Sequence, residues 1–201
     1  FLMNKNGAVV LAALLCLVAA FPLRAQVSLS ETTSGRNVFP LSAKTCAAIM
    51  YDAVSEPSVV GTAVGLLASD IEKVTGRVPS VSGNGSVPES CRYAVIAGTL
   101  GHSSLIDALV RDRKIDVSSI SGDWERYAVR LVEAPLKGVR RALVVVGSDR
   151  RGTAYGLLSL SRAIGVSPWY WWMDAPVEHR NSIYLSVNAY DAATPSVKYR
   201  G

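Results

Sequence analysis

The chain has 201 residues, of which 49% are apolar and 18% charged, with a formal net charge of +5 at neutral pH. That length suits one ordinary domain with no strong electrostatic preference. The basic residues are scattered, with Arg140-Arg141 and Arg150-Arg151 as pairs and no stripe, which argues against a nucleic-acid partner.

Phe1 and Leu2 precede the first methionine, Met3, and a short basic leader follows. Residues 7–21 form an apolar run of the length of a signal-peptide core, and Arg24 comes soon after. The run is shorter than the ~20 residues of a membrane span. The expectation is a signal peptide over residues 1–25, with Ala20 as the alternative cleavage point, and export to the periplasm or medium without a membrane association afterwards. Cleavage after Ala25 leaves 201 − 25 = 176 residues and, by removing Lys5 and Arg24, a charge of +3. Residues 26–37 are polar and rich in serine and threonine and read as a mobile leader. The folded domain is expected over residues 38–190.

Residues 47–51 read as a first strand. Pro57 fits the first turn of a helix. Val60, Ala63, Val64, Leu67, Ile71 and Val74 then recur on one helical face, and Gly76 ends the pattern. A short strand at 78–81, a polar loop and a strand at 93–97 follow. Ser103 can cap a second helix carrying Ile106, Leu109 and Val110. Residues 127–133 alternate Tyr127, Val129 and Leu131 against Ala128, Arg130 and Val132, as in a strand with one better-buried face. Residues 143–146 are apolar and β-branched, and pair back on 127–133 as a hairpin. A last helix over 153–164 places Ala154, Leu157, Leu158 and Ile164 close to one face. The order β-α-β-β-α-β-β-α predicts an α+β fold, a mixed sheet with helices packed mainly on one face.

Between that last strand and helix lies Gly147-Ser148-Asp149-Arg150-Arg151-Gly152. Such a turn can present backbone N–H groups to an anion, but it lacks the lysine and spacing of a phosphate loop. The plainer reading has Ser148 or Asp149 capping the helix. The other has Arg150 or Arg151 touching a neighbouring domain or a ligand carboxylate. Trp169-Tyr170-Trp171-Trp172 holds three of the four tryptophans in the chain. It would bury its aromatic surface either against another domain or against a sugar ring. Asp174, beside it, is the one acid worth testing, because no two acids form a convincing glycosidase pair. His102 and His179 lack metal-ligand spacing.

The stretch GSDRRGTAYGLLSLSRAIGVSPWYWWMDAPV, residues 147–177, resembles the N-terminal domain of glycoside hydrolase family 115, the xylan α-1,2-glucuronidases. The closing PSVKYRG, residues 195–201, is similar to that family's entry into its catalytic barrel. The resemblance covers residues 39–201, and the turn also occurs in hexosaminidase N-terminal domains. It implies a hexosaminidase N-terminal-domain-like fold, and residues 191–201 as a linker and the start of the barrel. It further implies an enzyme that removes (4-O-methyl-)glucuronic acid from glucuronoxylan without a cofactor. The catalytic carboxyls would lie in the barrel, so no catalytic residue is assigned here and the fragment itself is expected to be inactive. The barrel would be the domain's partner, with Arg150, Arg151, Trp169, Trp171, Trp172 and Asp174 as interdomain or substrate-binding residues. The other readings are a hexosaminidase-type relative and a free-standing carbohydrate-binding module. Cys46 and Cys91 each precede a predicted strand, and a disulfide can join them if those strands are parallel neighbours.

Overall fold

A computed structural model describes residues 27–89, 91–173 and 175–195. The signal-peptide reading and the barrel entry at 196–201 therefore lie outside the described residues. The strands are β1 (Val27–Leu29), β2 (Val38–Ser42), β3 (Ala48–Met50), β4 (Val81–Ser82), β5 (Tyr93–Thr99), β6 (Tyr127–Glu133), β7 (Arg141–Gly147), β8 (Ile183–Val187) and β9 (Tyr190–Asp191). The helices are α1 (Ser58–Thr75), α2 (Ser104–Arg111), α3 (Arg150–Ala163) and the single turn α4 (Tyr170–Met173).

Six strands form the main sheet in the order β4-β3-β5-β7-β6-β9. The first four run parallel, while β6 is antiparallel to both β7 and β9. The fold is thus α+β with a mixed sheet. Strands β5 and β7 lie inside it and are covered on both faces. Val95, Ala97, Leu143 and Val145 join one apolar layer, and Ala94, Ile96, Ala142, Val144 and Val146 the other. Burial on both sides explains why β7 reads as an unbroken apolar run instead of an alternation.

Helices α1 and α3 pack side by side on the first layer through Val64, Leu67, Ile71, Leu157 and Leu160. The second layer is closed by α2, through Ile106 and Leu109, and by Ile115 and Ile120 of the connection after it. Helix α1 ends at Gly76, whose left-handed φ of 68° lets its N–H reach the Glu72 carbonyl. Helix α2 begins where the Ser103 side chain accepts from the Ile106 N–H.

A second sheet, β1-β8-β2, joins the α1/α3 layer through Phe39, Leu41, Leu185 and Val187. Within the stretch read as a mobile leader, residues 26–37, Val27–Leu29 pairs antiparallel with β8 in the register Val27↔Val187 to Leu29↔Leu185. The sheet's other edge, β2, carries Pro40, and the pairing slips between Pro40 and Ser42. An edge strand with a bulge is where a proline is tolerated. No described helix is long and apolar enough to cross a membrane.

Candidate functional site

The turn after β7 is built for packing. Asp149 caps α3, with Oδ1 accepting from the Gly152 N–H at 2.8 Å and Oδ2 from the Glu125 N–H at 2.7 Å. Ser148 Oγ accepts from the Arg126 N–H at 3.0 Å and donates to the Arg126 carbonyl at 3.1 Å. A Cβ on Gly152 would stand 2.1 Å from the Arg126 carbonyl oxygen. Gly152 therefore lets the chain segment 125–126 lie directly on the turn, while Gly147 makes room for Thr153 and the Asp149 carbonyl. Arg151 is bound to the buried Glu125 carboxylate at 2.8 Å, and that bond raises its pKa further. Arg150 is exposed. The Asp149 carboxylate already sits on this helix start through the Gly152 N–H, so an anion arriving there would meet a negative charge.

Sequence reasoning missed a polar cluster at the carboxyl ends of the parallel strands. Glu56 is 8% exposed. Its Oε1 accepts from the Thr99 N–H at 2.5 Å and its Oε2 from Thr99 Oγ1 at 2.8 Å. Thr99 Oγ1 lies 2.8 Å from Thr153 Oγ1, which tops α3. Burial pushes the Glu56 pKa up, against the pull of the Thr99 hydrogen bonds. Nearby Asp52 accepts from the Ser104 hydroxyl at 2.6 Å and from the Ser104 N–H at 3.2 Å, and the Ser104 hydroxyl is the main reason its pKa is lowered. Both acids thus tie segments together, Glu56 at Thr99 and Asp52 at the start of α2. Nothing in a lone Glu before a Pro signals this arrangement in sequence.

The tryptophan turn lies at the opposite end of the sheet, beyond the carboxyl end of α3. Trp169 is 59% exposed, Trp172 83% and Met173 71%. Lys73 stacks over Tyr170, its Nζ 5.0 Å from the ring centre, while holding Asp70 at 2.9 Å. The side chain of Trp171, and Asp174 altogether, lie outside the described residues. Three clefts meet here. One of about 620 Å³ runs between β1 and α3 past Tyr155 and Leu158. One of about 420 Å³ lies under Trp169 and Pro168. One of about 200 Å³ lies between α1 and α3, with Leu66, Asp70 and Ser161 in its wall. Arg162 and Pro168 line all three. The structure thus separates the predicted site residues, with Arg150 and Arg151 at one end of α3 and the tryptophans at the other.

Strands β3 and β5 are parallel neighbours, as the disulfide reading required, but no bond forms and both cysteines are free. The Cys46 thiol faces Ser42 Oγ at 3.4 Å and the Arg77 carbonyl at 3.8 Å, and the Cys91 thiol donates to the Tyr93 carbonyl at 3.1 Å. Each sulfur faces a local partner, and in place of the possible bridge two free thiols line one cleft of about 250 Å³. No group of three or more metal-ligating side chains occurs among the described residues.

No protein-family model and no curated protein sequence matches the chain. Among solved structures it is similar to BtGH115A, a family GH115 4-O-methyl-α-glucuronidase with specificity for decorated arabinogalactans. The identity is 30% and the TM-score 0.62, over 80% of this chain and 19% of that one. CpGH84D matches at 12% identity and TM-score 0.47, over 84% of this chain and 23% of that one. The GH20 β-N-acetylhexosaminidase from Streptomyces coelicolor A3(2) matches at 16% and 0.45, over 88% and 26%. The chain spans about a fifth of the length of BtGH115A. The likeness to BtGH115A over most of the chain makes this a glycoside hydrolase-related α+β domain.

Proposed function

We propose that this chain is the N-terminal accessory domain of an exported α-glucuronidase that removes glucuronic or 4-O-methylglucuronic acid from plant polysaccharide. The substrate is glucuronoxylan by the resemblance read from the sequence; the specificity of BtGH115A adds decorated arabinogalactan as the second polymer to test. The observation that carries the reading is the 30% identity to BtGH115A across four-fifths of the chain. In this reading the chemistry belongs to a catalytic barrel carried in the same longer polypeptide. The domain's part is to dock on that barrel through the α1/α3 face and the tryptophan turn, and no cofactor is involved.

The test is direct. The 201-residue chain, purified alone, should release no uronic acid from glucuronoxylan or from decorated arabinogalactan. The longer polypeptide that carries it should release uronic acid from one of them. Turnover by the isolated chain above a buffer control, surviving repurification, would overturn the accessory-domain assignment. A longer polypeptide that cleaves N-acetylhexosaminides instead would replace the glucuronidase with a hexosaminidase.

A further inference from the structure

The outward side of the α1/α3 layer is poor in charge. Along α1 the outer positions Ser58, Val59, Thr62, Gly65, Leu66 and Ser69 carry none, and the exposed charge Glu72 comes only in the last turn. A helix facing water normally places charged and polar residues there. On α3 the exposed positions between its arginines are Tyr155 and Leu158, each 40% exposed. With Trp169, Trp172 and Met173 they give this side of the molecule a broad apolar surface, of the kind that marks an interaction site.

Arg162 is the charge set into that surface, at the junction of the three clefts. Some arginines of the domain are matched to carboxylates, while Arg36, Arg77, Arg92, Arg113, Arg140 and Arg150 form no ion pair among the described residues, so what sets Arg162 apart is its place among the clefts. Arg126 is bound to Asp123, Arg130 to Asp191, Arg141 to Glu133, Arg151 to Glu125 and Arg180 to Glu178. Arg162 has no acidic partner among the described residues. The acid nearest to hand in the same cleft, Asp70, is held by Lys73. Beside it, the buried Ser161 hydroxyl also lacks a hydrogen-bond partner among the described residues. A cation in the last turn of α3 does complement the helix dipole. That role asks for a positive charge only, and does not account for the apolar clefts around it.

We infer that the domain covering this face brings a carboxylate side chain to Arg162, flanked by apolar side chains that fill the adjoining clefts. The inference rests on the docking reading above and names the chemistry of the partner. A guanidinium among apolar walls suits a carboxylate, which it can grip through two parallel hydrogen bonds. Such a pair at the centre of an apolar interface fixes orientation and rejects mismatched partners.

Two measurements on the full-length chain test it. In the first, Arg162→Lys is treated with a carbodiimide, which joins an amine to a carboxylate in contact and carries off the carboxylate oxygen as a urea. An amide linking position 162 to an Asp or Glu beyond residue 201 is expected. In the second, limited proteolysis between the domains is timed. Cleavage about 10-fold faster is expected for Arg162→Ala, and likewise for Leu158→Ser with Trp169→Ser. If the apolar pair speeds cleavage while Arg162→Ala does not, the carboxylate inference falls and docking stands. If Arg162→Ala speeds cleavage but no link forms, or the link stays within residues 27–195, the partner is not a carboxylate of another domain and the inference is overturned. If neither variant changes the rate, the docking reading fails with it.

Discussion

Glu56 gives both carboxylate oxygens to Thr99, tying the loop before α1 to the end of β5 and, through Thr153, to the top of α3. Its pKa is raised, with burial as the leading cause, so the folded state holds the proton more tightly than the unfolded chain does. The stabilisation from that proton is full below the ordinary carboxylate pKa and fades as pH rises through the folded value. Glu56→Gln keeps an oxygen for the Thr99 N–H and an amide N–H for the Thr99 hydroxyl, which can rotate to accept. We expect Glu56→Gln to lie within about 1 kcal/mol of the parent near pH 7 and to flatten the rise in stability on acidification towards about pH 4. Glu56→Ala strands two buried donors and should cost about 2–4 kcal/mol. Urea unfolding across that pH range measures both. A Gln variant that keeps the parent's full pH slope would remove Glu56 as its source.

At the scale of elements, two helical glycines make opposite predictions. Gly152 opens α3 against the 125–126 segment, where a Cβ would meet the Arg126 carbonyl oxygen at 2.1 Å. Gly152→Ala should destabilise by about 3 kcal/mol or more, since backbone would have to move. Gly65 faces outward from α1, and a methyl added there would meet nothing within 4 Å. Gly65→Ala should stabilise the isolated domain by about 0.5–1 kcal/mol through helix propensity. Thermal unfolding of the two variants checks the pair, and equal effects would contradict the packing described for α3. The same helices show what could be read in advance. The apolar rows of α1, the Ser103 cap and the β6–β7 hairpin are local patterns, and they stand in the structure as expected. Strands β1, β2 and β8 were not legible, because they are short, one contains Pro40, and their pairing joins residues about 150 positions apart. The Arg162 junction escaped for a similar reason: a lone basic residue in a last turn looks like a dipole partner until Pro168 and Leu66 are seen to fold around it.

For the whole molecule, the contrast between its two helix-bearing faces bears on behaviour in solution. The α2 side closes its own apolar layer over Ile115, Ile120 and Val139, all well buried. The α1/α3 side leaves Leu66, Tyr155, Leu158, Trp169, Trp172 and Met173 at 38–83% exposure. Each large aromatic that goes from water into an interface removes about 150–250 Å² of surface. Apolar area is worth roughly 25 cal/mol per Å², so two tryptophans alone supply several kcal/mol of driving force before the cost of association. On the docking reading, the isolated chain should therefore self-associate in a concentration-dependent way and bind a hydrophobic dye. Trp169→Ser with Trp172→Ser should weaken both while leaving the unfolding midpoint nearly unchanged, since neither ring contributes to the buried core. Sedimentation velocity over a range of concentrations, with dye fluorescence alongside, measures the effect. A parent chain that stays monomeric and dark to the dye would remove the docking reading of the tryptophan turn, and a saturable response of tryptophan fluorescence to xylo-oligosaccharides would put sugar stacking in its place.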